Sequence, residues 1–197
     1  HATKPRLAGG NFSVWREDFA RVNGFDERFV GWGQEDDDLG LRLRAAGIRL
    51  ESILDRTWTL HVWHAPDPSA TARWRDGANV AYFGRRGRLT ACREGLVRRR
   101  LDELSWRLPA DLGATELGRA AAAAIGRNAA HGPGDGGPTV SAEVELVVRP
   151  GAARFRGSAE CRLLLSKSGW QPGRWPDVHI VATTDGPTLA ERLDSAV

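Results

Sequence analysis

Four consecutive carboxylates, Glu35-Asp36-Asp37-Asp38, follow directly on Gly31-Trp32-Gly33-Gln34. A run of this kind is well placed in the first turn of a helix, where the macrodipole presents partial positive charge. The residues beyond it agree. Leu39, Leu43 and Ala46 form one apolar stripe at helical spacing, Arg42 and Arg44 fall late, and Gly47 supplies a stop. A helix is therefore predicted over 34–46. Two acids would satisfy the dipole. Four repel one another, and repulsion raises the pKa of at least one member, which suits a general base or a clamp for a polar ligand. The preceding Gly-Trp-Gly sets an indole on a flexible backbone. An indole beside carboxylates suits a sugar, with the ring against C–H faces and the acids on hydroxyls.

Two other features stand near this block. His61-Val62-Trp63-His64 precedes Ala65-Pro66-Asp67-Pro68. On a strand, residues three apart face opposite ways. A turn into the proline segment would bring both imidazoles together. Two histidines alone leave a divalent metal short of ligands. One packed and one surface histidine is an equal reading at this point. Gly9-Gly10-Asn11-Phe12-Ser13 allows close backbone approach to a ligand, although a lone Gly-Gly also makes an ordinary turn.

Composition narrows the rest. The chain has 197 residues, 41% hydrophobic and 27% charged, which is enough for a packed core and argues against a disordered chain. No stretch approaches the roughly 20 apolar residues of a membrane span. Net charge is +3, and Lys4 and Lys167 are the only lysines, so the other 26 of 28 cations are arginine. That bias, with abundant alanine, points to a GC-rich genome rather than a nucleic-acid site. The arginines at 85–107 have only Trp106 interleaved and are interrupted by acids, so phosphate contact is poorly supported. A solvated helix face, or a peripheral contact with anionic lipid, accounts for them better. Cys92 and Cys161 do not form a CxxC and read as reduced thiols of an intracellular protein.

Along the chain, Ser13 is expected to cap a helix carrying Val14, Phe19 and Val22, with Gly24 as its stop. Strands are expected over 48–54 and 57–62, the second with Trp58, Leu60 and Val62 alternating with Thr59, His61 and Trp63. Leu96, Val97, Leu101 and Leu104 suggest an amphipathic helix. Residues 128–138 read as a Gly/Pro linker. Val140 to Val148 alternates like a half-buried strand, followed by a Pro150-Gly151 turn. Cys161 to Leu165 and Val178 to Ala182 are candidate partner strands, and Thr188 to Ala196 a closing helix. The expected domains are 1–84, a basic helical segment at 85–127, the linker, and a small α+β region at 139–197. The fold class is α/β.

The order Gly-Gly-Asn-Phe-Ser-Val-x-Arg, Asn23-Gly24-Phe25-Asp26-Glu27-x-Phe29, Gly-Trp-Gly-x-Glu-Asp-Asp-Asp, Arg42-Leu43-x-x-Ala46-Gly47 and HxxH resembles the C-terminal half of the GT-A nucleotide-diphospho-sugar transferase fold. The nearest likeness is to the C-terminal region of beta-1,4-galactosyltransferases and related bacterial family-2 transferases. It covers residues 7–68, about a third of the chain. The resemblance implies a metal-dependent inverting transferase. It would move a galactose-type sugar from a nucleotide-sugar to a glycan hydroxyl in bacterial polysaccharide biosynthesis, in the cytoplasm or at the inner face of the membrane. By resemblance, Asp36 is the catalytic base. Trp32, Glu35 and Asp37 hold the acceptor, and Gly9 and Gly10 lie beside the donor. His61 and His64 ligate Mn²⁺, or Mg²⁺ in its place.

The family also uses an N-terminal nucleotide-binding half with an Asp-x-Asp. The chain opens at His1 without it and contains no methionine. It is therefore expected to be an excised piece that is inactive alone. The competing expectation is a non-catalytic module in which the same residues bind carbohydrate or a cation. Galactose, N-acetylgalactosamine, glucuronic acid and xylose all stay open as donor sugars.

Overall fold

The computed structural model describes residues 6–53, 55–66, 76–85, 87–109, 111–126, 142–148, 159–166, 178–181 and 188–197. The Gly/Pro linker at 128–138 and the expected Pro150-Gly151 turn lie outside these residues. The chain forms two compact units. One comprises His1–Arg85 with Thr90–Arg98, and the other comprises Arg86–Leu89 with Arg99–Val197.

Among the described residues, the first unit carries three helices: α1 (Arg16–Arg21), α2 (Glu35–Ala45) and α3 (Ala78–Phe83). Helix α2 forms where predicted. Its stripe of Leu39, Leu43 and Ala46 joins Val22 in a buried core, with Leu7, Phe12, Val14, Phe19, Phe25, Ile48 and Leu50 packed against it. Phe25 meets Phe12 and Phe19 edge-on, with ring centroids 6.1 and 5.8 Å apart. Gly47, at φ +82°, ends α2 in the left-handed conformation that glycine adopts most cheaply.

Three expectations for this half are corrected. Helix α1 starts at Arg16 with Trp15 as its N-cap residue, and no side chain caps it, so Ser13 does not. No strand forms within 48–53 or 55–66. The alternating pattern is present, but a strand exists only through a ladder partner, and none is supplied among the described residues. Trp58, Leu60, Val62 and Trp63 are accordingly 76–83% exposed. Leu96 to Leu104 is not one helix either. A Glu94–Arg98 bridge and a 3₁₀ turn at Leu101–Glu103 divide it.

The second unit holds a parallel sheet in the order β1 (Trp106–Arg107), β2 (Ala142–Val148), β3 (Ala159–Ser166), β4 (Val178–Val181). Helices α4 (Glu116–Ala124) and α5 (Leu189–Ala196) complete it, so this part is α/β. The register aligns Val144 with Cys161, Leu146 with Leu163, and Val148 with Leu165. These alternate residues and Ile180 form one core with Ala121, Ala122, Ile125, Leu193 and Val197. β2 is buried more fully than a half-buried strand. Glu145 also lies inside, 3.6 Å from Arg107. Parallel sheets occur covered on both faces, which explains this burial. Thr188 and Glu191 form a reciprocal capping box at the start of α5, as the expected closing helix required.

Candidate active site

The Trp32 loop enters α2 through three left-handed residues: Gly31 at φ +74°, Gly33 at φ +110° and Gln34 at φ +73°. A side chain at Gly33 would be strained by its backbone even though a Cβ there would meet nothing within 4 Å. Trp32 itself is 38% exposed.

The four acids that follow do not act as one repelling cluster. Segment 6–9 lies along α2 and takes two of them. The backbone N–H of Gly9 donates to Asp36 Oδ2 at 2.8 Å, and Asp37 N–H donates to Asp36 Oδ1 at 2.7 Å. Arg6 grips Asp37 through both carboxylate oxygens, its Nε–H donating at 2.8 Å. The hydrogen bonds and charge of Asp37 raise the Arg6 pKa above its ordinary value. Leu7 packs where a Cβ on Gly40 would stand 3.3 Å from it. Asp38 points the other way and is fully buried against Arg42 at 2.7 Å, one helical turn on. Glu35 Oε2 is buried without a hydrogen-bond partner among the described residues.

Asp36, the expected base, and Gly9, the expected donor-side glycine, therefore meet. Gly10 follows in the same turn, closed by Asn11 N–H donating to Ala8 O at 3.0 Å, and a Cβ there would meet nothing within 4 Å. Asn11 Nδ2 donates to Thr59 Oγ1 at 3.3 Å, which ties this turn to the segment carrying the histidines.

The rings of His61 and His64 are 5.1 Å apart, so the extended chain brings both imidazoles together without a strand. His64 Nδ1 lies 2.9 Å from Ala65 O, and only a protonated Nδ1 can bond a carbonyl. In the neutral ring this leaves Nε2 with its lone pair for a metal. Imidazole nitrogen is a donor type that borderline divalent ions accept. No group of three or more His, Cys, Asp or Glu that could hold a metal occurs among the described residues.

Beneath the acids lies a polar network that sequence reading missed. Arg42 Nη1 donates to the carbonyls of Val22 and Gly24, at 2.8 Å each. Buried Asp26 accepts from Tyr82 Oη at 2.7 Å and from Arg85 Nη2 at 3.3 Å, and Arg85 also reaches Asp38 at 3.4 Å. The Arg85 guanidinium lies 3.7 Å from the Tyr82 ring centroid. Burial, then the bond to Asp26, pushes the Tyr82 hydroxyl well above its ordinary pKa. The one local signal was the i,i+4 spacing of Asp38 and Arg42, masked by the neighbouring acids.

Residues 1–64 match the family model described as the N-terminal domain of galactosyltransferase. The chain is 46% identical over 54 residues to validoxylamine A glucosyltransferase of Streptomyces hygroscopicus subsp. jinggangensis, covering 27% of this chain and 13% of that protein. It is 37% identical over 46 residues to human beta-1,4-galactosyltransferase 3, covering 23% of this chain and 12% of that protein. The matches thus span about an eighth of the relatives' length. No solved structure matches the chain.

Proposed function

We propose that residues 1–64 form the acceptor and metal side of a GT-A inverting glycosyltransferase, which moves a galactose-type sugar from a nucleotide-sugar to a glycan hydroxyl. The observation that carries this reading is the Gly9–Asp36 contact. It sets a carboxylate against an open glycine turn, so that base and donor-side backbone share one place.

In the proposed reaction, Asp36 takes the proton of the acceptor hydroxyl. The acceptor oxygen attacks the anomeric carbon from the face opposite the leaving group. The bond from that carbon to the diphosphate oxygen breaks, and its electron pair leaves with the nucleoside diphosphate. Glu35 offers a buried oxygen that an acceptor hydroxyl would satisfy, and Trp32 a partly exposed ring for a sugar face. Asp37, held by Arg6, borders the same site. His61 and His64 would supply two ligands to Mn²⁺ or Mg²⁺, which when bound offsets the charge of the leaving diphosphate.

The match spans so little of the relatives that transfer is proposed to need a nucleotide-binding part beyond it, and the chain alone to be inactive. The proposed setting is the bacterial cytoplasm or the inner face of the membrane, in polysaccharide assembly. No helix among the described residues is long and apolar enough to cross a membrane.

The deciding experiment assays the full-length protein with a panel of nucleotide-sugars, glycan acceptors and Mn²⁺. Release of nucleoside diphosphate that depends on acceptor, with an inverted anomeric product, is expected. Saccharide binding without transfer from any donor would favour the non-catalytic module instead.

A further inference from the structure

Asn79 lies on α3, outside the family match, and is 5% exposed. Its carboxamide spans the backbone of the Trp32 loop. Oδ1 accepts from Val30 N–H at 3.1 Å, while Nδ2 faces the carbonyls of Gly33 at 3.0 Å and of Val30 and Trp32 at 3.3 Å each. Asparagine in a first helical turn often bonds nearby backbone. Here α3 has no side-chain cap, and the amide is turned to a loop 46 residues away.

The loop needs such a brace. Gly31, Gly33 and Gln34 all sit at positive φ, and glycine pays most in lost backbone freedom when fixed. One turn beyond Asn79 on the same helix, Tyr82 bonds buried Asp26 and packs edge-on against Phe29 at 4.9 Å. Helix α3 is thereby anchored in the polar network under α2.

We infer that Asn79 is a positioning residue for the acceptor, fixing the backbone on both sides of Trp32 so that the indole is presented in one pose. The inference rests on the acceptor role proposed above for Trp32. It adds a specificity-determining contact from a helix that lies outside the family match.

The test uses full-length protein labelled with 5-fluorotryptophan, with the Trp32 ¹⁹F resonance assigned through Trp32→Phe. Methyl β-glucoside, N-acetylglucosamine and validoxylamine A serve as acceptor probes. In the wild type at least one probe is expected to shift the Trp32 resonance. Asn79→Ala should move or broaden that resonance before any probe is added. It should also raise the acceptor KM about tenfold, as loss of a buried hydrogen bond implies, with donor KM within about twofold. A general loss of fold would move both constants. Where Asn79→Ala does not fold, Asn79→Asp carries the same expectation, because it keeps the acceptor for Val30 N–H and loses the donors. A Trp32 resonance unchanged in these variants overturns the inference and leaves the transferase reading standing. A wild-type Trp32 resonance insensitive to every probe overturns the acceptor role of Trp32, and the inference with it.

Discussion

The N–H of Gly9 and the carboxylate of Asp36 meet at 2.8 Å across 27 residues of sequence. This bond and the Arg6–Asp37 pair lay the segment before the glycine turn along the first turn of α2. A carboxylate held by two backbone N–H groups keeps a fixed orientation, as a base must if it is to meet a substrate proton.

Asp36→Asn should therefore abolish transfer in the full-length protein. The carboxamide has nearly the same shape but cannot accept a proton from an alcohol, so kcat is expected to fall by about 10²- to 10⁴-fold. Donor binding, read by calorimetry with the nucleoside diphosphate, should stay within about threefold. Near-normal turnover would remove Asp36 from the mechanism.

Replacing His64 by alanine removes one of two imidazoles whose rings stand 5.1 Å apart. Apparent Mn²⁺ affinity, measured both by activation of transfer and by manganese electron paramagnetic resonance, should weaken at least about tenfold. His61→Ala should weaken it as well. An unchanged manganese titration in both variants would show that the pair binds no ion.

Arg42→Ala leaves Asp38 buried without its nearest cation and removes the guanidinium donor from the Val22 and Gly24 carbonyls. Breaking a buried pair in this way costs about 3–5 kcal/mol. Urea unfolding of the first unit should report a loss in that range. A loss under about 1 kcal/mol would mean that the other partners of Asp38, Arg85 among them, sustain it.

The Cys92 thiol is buried among the carbonyls of Val22, Asn23, Phe25 and Glu94, and burial pushes its pKa up to about 11. A thiol raised above its unfolded value keeps its proton longer in the folded state. Its contribution is therefore complete at neutral pH and is lost as pH rises from about 9 through about 11. Denaturation midpoints should fall over that window. Cys92→Ala should flatten the fall, and the raised Tyr82 hydroxyl accounts for what remains at the upper end. Equal slopes in the two proteins would contradict the assignment.

Local chemistry alone determined much of this protein. The dipole-matched acids, the Leu39-Leu43-Ala46 stripe and Gly47 specify α2 within a few residues of one another. The capping box likewise specifies α5. These signals depend on neighbours three or four residues away and need no tertiary contact. Only the tertiary structure decided which acid does what. Asp36 faces Gly9, Asp37 faces Arg6, and Asp38 is consumed by Arg42, although the three are chemically alike in sequence. It also decided that 57–62 is no strand and that Asn79 reaches the Trp32 loop. Strand pairing and side-chain partnership are set by residues distant in the chain, and no short-range pattern encodes where those residues will stand.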